Sequence, residues 1–172
     1  MYYFNLIMFY SLLGFILESV VYKVCNDNKH SSIFYGPYTL VYGFGLLPCI
    51  IVFNKINNLI PNIFLKIVLL YLIFIIITTT IEFIGGNLIH LFLNIDKWNY
   101  TKHKFHFGKY ICLDYALYWG ILTLITIYFL HPFFDINIIK KIPNKVSFII
   151  LIILVIDTCL VILKKIKKGK IN

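Results

Sequence analysis

At 172 residues, 60% hydrophobic and 13% charged, with a mean hydropathy of +0.87, the chain falls outside the balance of a soluble globular domain and requires lipid. Its net charge of +9 rests on sixteen lysines without an arginine. The planar bidentate fork favoured for phosphates and bases is therefore missing, and a nucleic-acid partner is discounted.

A bilayer core of ~30 Å needs about 20 apolar residues per helix. Residues 2–22, MYYFNLIMFYSLLGFILESVVYK without its first and last letters, have no basic region before them and no small-residue cleavage pattern after them, so they read as a retained helix. The second span, 37–53, opens in YGPYTLVYGFG. Gly36 and Pro37 stand at its entry, where proline's missing donor costs nothing and free N–H groups suit an anion, and Gly43 and Gly45 allow close packing. The third, 64–93, is too long for one perpendicular crossing and has to tilt, kink at Gly85–Gly86 or emerge along the interface. Spans over 111–130 and 147–163 follow, then a lysine-rich tail over 164–172. The expected fold class is an all-α integral membrane protein of about five transmembrane helices, forming one polytopic domain over 1–172, because no linker-like stretch divides the chain.

Orientation follows from the lysines. One side collects Lys23, Lys29, Lys97, Lys102, Lys104, Lys109 and the five of KKIKKGK; the other collects Lys55, Lys66, Lys140, Lys141 and Lys145. The expectation is a multi-pass cell-membrane protein with its amino terminus outside, its carboxyl terminus cytoplasmic, and Trp98 and Tyr100 as interfacial aromatics on the inner surface.

Polar residues inside the spans are the candidates for function. In TTTIEFIGGNLIH, residues 78–90, Thr79, Glu82, Gly86 and His90 are spaced three, four and four apart and share one helix face. A charged side chain at the bilayer centre costs roughly 2.5–3.5 kcal/mol, so that face should look at protein or water. Glu18 follows Ser11 and Gly14 with similar spacing, Asp114 begins the fourth span and Asp157 lies near the inner end of the fifth. One reading is a hydrophilic pocket open to the cytoplasm, lined by Glu18, Glu82, His90 and Asp114, that holds a cation, a proton or a polar substrate group. The other is that these groups bond to tyrosine, threonine and backbone and set helix register.

No metal or cofactor is expected. Cys25, Cys49, Cys112 and Cys159 form no C-x-x-C pair, and His103 and His106 have no acidic or cysteine partner at ligand spacing in the sequence.

Two further patterns cover most of the chain. An offset of 72 places Gly14 on Gly86, Glu18 on His90, Gly36 on Gly108 and Tyr38 on Tyr110, which suggests a parallel duplication of a two-helix unit. The successive motifs YSLLGFILESVVY, YGPYTLVYGFG, IEFIGGNLIH and WNYTKHKFHFGKYICLDYALYWG, over about residues 8–132, resemble those of the CmpB-like family of small bacterial membrane proteins, described as type IV ABC-transporter permeases. By that resemblance the helix over 147–163 and the tail are additions. The chain departs from the family pattern at Asn99, Lys104 and His90, where the family carries an acidic residue, a proline and a glutamate.

The resemblance implies a transport-related, permease-type subunit. The chain has no G-x-x-x-x-G-K-[ST] phosphate loop, so energy would come from a separate ATPase subunit. Its expected partners are the lipid bilayer, that ATPase and a second copy of itself. The alternatives are an intramembrane enzyme using Glu18, Glu82 or His90 as acid or base, and a non-catalytic membrane partner or sensor. The lack of a G-x-S-x-G elbow, an H-E-x-x-H motif or a dense Asp/His cluster argues against the enzyme.

Overall fold

The computed structural model describes residues 1–25 and 31–169; Lys29 and Lys170 of the lysine tally lie outside them. Five apolar helical stretches account for most of the chain. They are α1 (Tyr2–Val24), α2 (Leu40–Ile56), α3 (Ile63–Leu93), a composite beginning with α4 (Leu113–Ile125) and ending with α5 (His131–Asn137), and α6 (Asn144–Gly169). Four of these are long and apolar enough to cross a membrane, and α2 is shorter. At about 1.5 Å per residue, the 17 residues of α2 rise roughly 25 Å, somewhat less than the hydrocarbon core.

Neighbouring helices pack as two hairpins, α1 with α2 and α3 with α4, joined by the contact of α2 with α3. Close approach in the first hairpin depends on Gly43, where a Cβ would collide with the Ile7 carbonyl oxygen and lie 2.6 Å from Ser11 Oγ. Gly45, expected to serve the same purpose, has its nearest neighbour, Ile81, at 4.0 Å and leaves room for a methyl group. In the second hairpin, Cβ atoms at Gly120 and Gly86 would come within 2.6 Å of Tyr71 and 2.7 Å of Tyr110.

The second and fourth spans have ends other than those read in the sequence, while the third keeps its expected bounds. Helix α2 opens at Leu40 rather than at Pro37, because the N–H groups of Tyr35 and Gly36 are turned to the Asp157 carboxylate, at 3.0 and 2.8 Å, instead of heading a helix. Helix α3 runs unbroken through Gly85 and Gly86 for 31 residues, capped at the start by the Asn62 side chain and at the end by left-handed Asn94. The fourth span does not stop at residue 130. A π-helical turn over Thr126–Leu130, in which the His131 N–H reaches the Thr126 carbonyl, carries the helix on to Asn137. Such a turn accommodates Pro132, which lacks a donor and whose ring crowds the carbonyl four residues earlier.

Packing divides the bundle along its length. The apolar core gathers Leu6 and Tyr10 of α1, Leu46, Cys49 and Ile50 of α2, Leu70 and Phe74 of α3, and Ile127 and Ile139. All lie toward the amino-terminal end of α1. The opposite half is closed by polar groups and by the connection over 94–112, which folds back across the bundle end. That connection contains a small antiparallel hairpin, β1 (His106–Phe107) with β2 (Ile111–Cys112). Gly108, at φ +64°, supplies the left-handed residue of its three-residue loop.

Helix α6 buries little of itself. Its large side chains, Phe148, Ile152, Ile156 and Leu160 among them, are exposed as a lipid-facing helix requires. Buried Asp157 holds it to the loop that leads into α2, accepting from the Tyr38 hydroxyl as well as from Tyr35 and Gly36, and Lys165 Nζ donates to the Phe92 carbonyl at 2.7 Å.

Candidate functional site

Glu82 is 6% exposed near the middle of α3 and faces the bundle. One carboxyl oxygen accepts from the Tyr100 hydroxyl at 2.6 Å and the other from the Trp119 indole N–H of α4 at 3.2 Å. Tyr100 was expected at the interface as an anchor. It is instead buried, because the connection folds inward with the Tyr100 N–H bonded to the Lys109 carbonyl at 2.8 Å and its ring stacked on Tyr115 at 4.6 Å. Burial and then the facing Glu82 carboxylate hold its phenol well above the ordinary value, so it remains a donor at neutral pH.

Glu18, two turns from the end of α1, has its carboxyl 3.5 Å from Lys97 Nζ and lies near the Tyr42 hydroxyl of α2. The Tyr42 ring meets Trp119 edge-on at 5.1 Å. Gly14 makes space for Tyr42, since a Cβ there would collide with its ring. Each of α1–α4 thereby contributes to one neighbourhood of polar groups, Lys97 with Glu18, and Tyr100 and Trp119 with Glu82, with Tyr42 beside Glu18 and Trp119. The cavities of about 610 and 220 Å³ lie elsewhere, one bounded by α3 and the small hairpin and the other among α1, Pro37, Tyr38 and α6.

The remaining candidates sit apart from that neighbourhood. His90 pairs through Nδ1 with Asp96 at 2.9 Å and meets neither glutamate. Asp96 also accepts from the Tyr110 hydroxyl at 2.7 Å and lies 3.3 Å from Lys109 Nζ. The Tyr110 bond, with Lys109 and His90, holds this carboxyl below the usual carboxylate range. Asp114 is exposed in the first turn of α4, grouped with His103 and Cys112. The four residues expected to line one pocket therefore fall into three groupings. Glu18 and His90, which the offset of 72 aligns, pair with adjacent residues of the connection, Glu18 with Lys97 and His90 with Asp96.

Sequence reading missed Tyr42, Lys97, Trp119 and the inward turn of Tyr100. Tyr42 lay four residues after Tyr38 in a quoted motif, but one tyrosine among 13 gives no signal without its neighbours.

The family described as Putative ABC-transporter type IV, the CmpB-type ABC transporters, matches residues 5–163. The chain belongs to this family. The match extends past the four motifs quoted from the sequence and takes in most of α6, so for the CmpB-type family the fifth apolar helix is part of the shared pattern. No curated protein and no solved structure matches the chain. With its apolar helices, CmpB-type membership makes this a multi-pass membrane protein related to ABC-transporter components.

Proposed function

We propose that the chain is the permease-type membrane subunit of an ABC transporter, a single polytopic domain that draws energy from a separate ATPase subunit. Glu18 and Glu82 are its working carboxyls, placed to hold a cation, a proton or a polar substrate group in the cytoplasmic half of the bundle. The lysine distribution supports an outside amino terminus and a cytoplasmic carboxyl terminus, so the end of the bundle closed by residues 94–112 faces the ATPase.

The observation that carries the reading is the polar neighbourhood of Glu18 and Glu82. Two acidic side chains on α1 and α3 are costly at membrane depth, and both are met by polar groups, Glu18 by Lys97 of the connection and Glu82 by Tyr100 of the connection and Trp119 of α4. Simple register-setting would be met by one glutamate and one donor. Here Tyr42 of α2 lies near both carboxyls, so a rotation of α2 against α1 would change the surroundings of both. Family membership supports the energy source, because the chain carries no phosphate loop of its own.

The deciding experiment is purification of the full chain from its native membrane with identification of what accompanies it, followed by ATPase assays of the complex in lipid. An accompanying ATPase is expected, with an activity that responds to Glu82→Gln while insertion and expression stay at parent levels. A chain that purifies alone, or an ATPase rate indifferent to Glu82→Gln and Glu18→Gln, removes the proposal.

A further inference from the structure

Outside the glutamate neighbourhood, the connection over 94–112 brings together three side chains of a different chemistry. The ligand atoms of His103, Cys112 and Asp114 all lie within 4.8 Å of one another. In the sequence they look unrelated, separated by nine residues and then two. The β1–β2 hairpin reverses the chain at Gly108 and sets Cys112 opposite His106, and α4 begins at once, so Asp114 falls in its first turn beside Cys112. We infer that His103, Cys112 and Asp114 form a binding site for a borderline-soft divalent transition metal, with Zn²⁺ the best match.

Donor type selects the ion. A thiolate, an imidazole and a carboxylate make a mixed S/N/O set that suits zinc, whereas Mg²⁺ and Ca²⁺ prefer oxygen throughout. Tetrahedral zinc with bonds of about 2.0–2.3 Å holds its ligands roughly 3.5 Å apart, so side-chain adjustments of about an ångström close the set around the ion. Three protein ligands leave a fourth position for water or another donor. The carboxylate and a thiolate also balance a dication, which matters beside Lys102, Lys104 and Lys109.

The surroundings already constrain the ligands. His103 is held edge-on between Tyr100 at 5.7 Å and Tyr115 at 5.3 Å, and its backbone N–H donates to the Tyr100 carbonyl at 2.9 Å. The His103 carbonyl accepts from His106 Nδ1 at 2.8 Å, which requires the proton on that nitrogen. Cys112 is 1% exposed while Asp114 is open to solvent, so an ion would enter past the carboxylate and be held against the sulfur. On the side assigned to the cytoplasm, the thiol stays reduced and available.

Cobalt(II) is the probe, because its thiolate complexes absorb strongly in the near ultraviolet. Added to the purified full-length chain in detergent, it should give a thiolate-to-cobalt band that saturates at one ion per chain and disappears on addition of Zn²⁺. Cys112→Ser should lose the band, while a chain carrying Cys25→Ser and Cys159→Ser keeps it. Asp114→Asn, at an exposed position in the first turn of α4, should weaken cobalt binding severalfold with at most a small shift in melting temperature, and it carries the test if Cys112→Ser fails to fold. Absence of the band in the parent overturns the site. So does a band that survives Cys112→Ser or is undiminished in Asp114→Asn.

Discussion

The Tyr100 hydroxyl and the Glu82 carboxylate are joined at 2.6 Å, linking the connection over 94–112 to the middle of α3 across 18 residues of chain. Removing the hydroxyl leaves a buried carboxyl oxygen without its donor. Tyr100→Phe should therefore cost about 1 kcal/mol, within the range found for hydrogen bonds inside membrane proteins. Thermal unfolding in detergent measures it. A melting temperature equal to the parent's would show that the bond contributes nothing.

Glycine substitutions should separate two neighbours on α2. Gly43→Ala drives a methyl group into the Ile7 carbonyl, a backbone atom that cannot swing aside, and should destabilise the α1–α2 hairpin by about 1–3 kcal/mol. Gly45→Ala meets only Ile81 at 4.0 Å and should be neutral or slightly stabilising, because alanine is the better helix former. Equal losses for both would contradict the packing described.

Asp96 gives the connection a pH dependence. The groups facing it are Tyr110, Lys109 and His90, and its folded-state pKa lies below the unfolded value of about 3.9. Its stabilisation is present in full above that unfolded value and is lost as pH falls through the lower folded one. Hydrogen exchange across residues 94–112 should stay slow, after correction for intrinsic rates, down to about pH 4 and quicken below it. Asp96→Asn should remove that step. A step unchanged in the variant would assign the effect to another group.

Asp157 should be the main tether of α6. Asp157→Asn keeps the shape but removes the charge that gathers the N–H groups of Tyr35 and Gly36 and the Tyr38 hydroxyl. Exchange at the amides of residues 35 and 36 should rise at least tenfold, as expected for losing about 1.5 kcal/mol or more of charge-assisted bonding. Unchanged protection would mean that lipid and the remaining contacts hold the helix in place.

What the sequence disclosed and what it concealed follow from the range of each signal. Hydropathy accumulates over about 20 residues, so the five apolar stretches and the class of the protein were legible, as was the inward face of Glu82 from its spacing with Thr79 and Gly86. Local exceptions escaped that averaging. Proline at position 37 favours a helix start, yet the start was displaced to Leu40 by Asp157, a residue 120 positions later in the chain. The fourth span was read as ending at 130, yet a π-helical turn carries it past Pro132 to Asn137. His103 appeared to lack ligand partners because spacing along the chain says little about distance once a hairpin intervenes.

The lengthwise division of the bundle has a mechanical consequence. Side chains packed around Leu6, Leu70 and Phe74 share their contacts and yield together or not at all, so that end behaves as a fulcrum. The end around Glu18, Tyr42 and Glu82 is held by separate polar contacts, the two hydrogen bonds to Glu82 worth about 1 kcal/mol each and the Lys97–Glu18 pair beside them, able to exchange partners one at a time. Helices packed tightly at one end and held by individual polar contacts at the other open more readily at the second end, the one that carries Glu18, Tyr42 and Glu82.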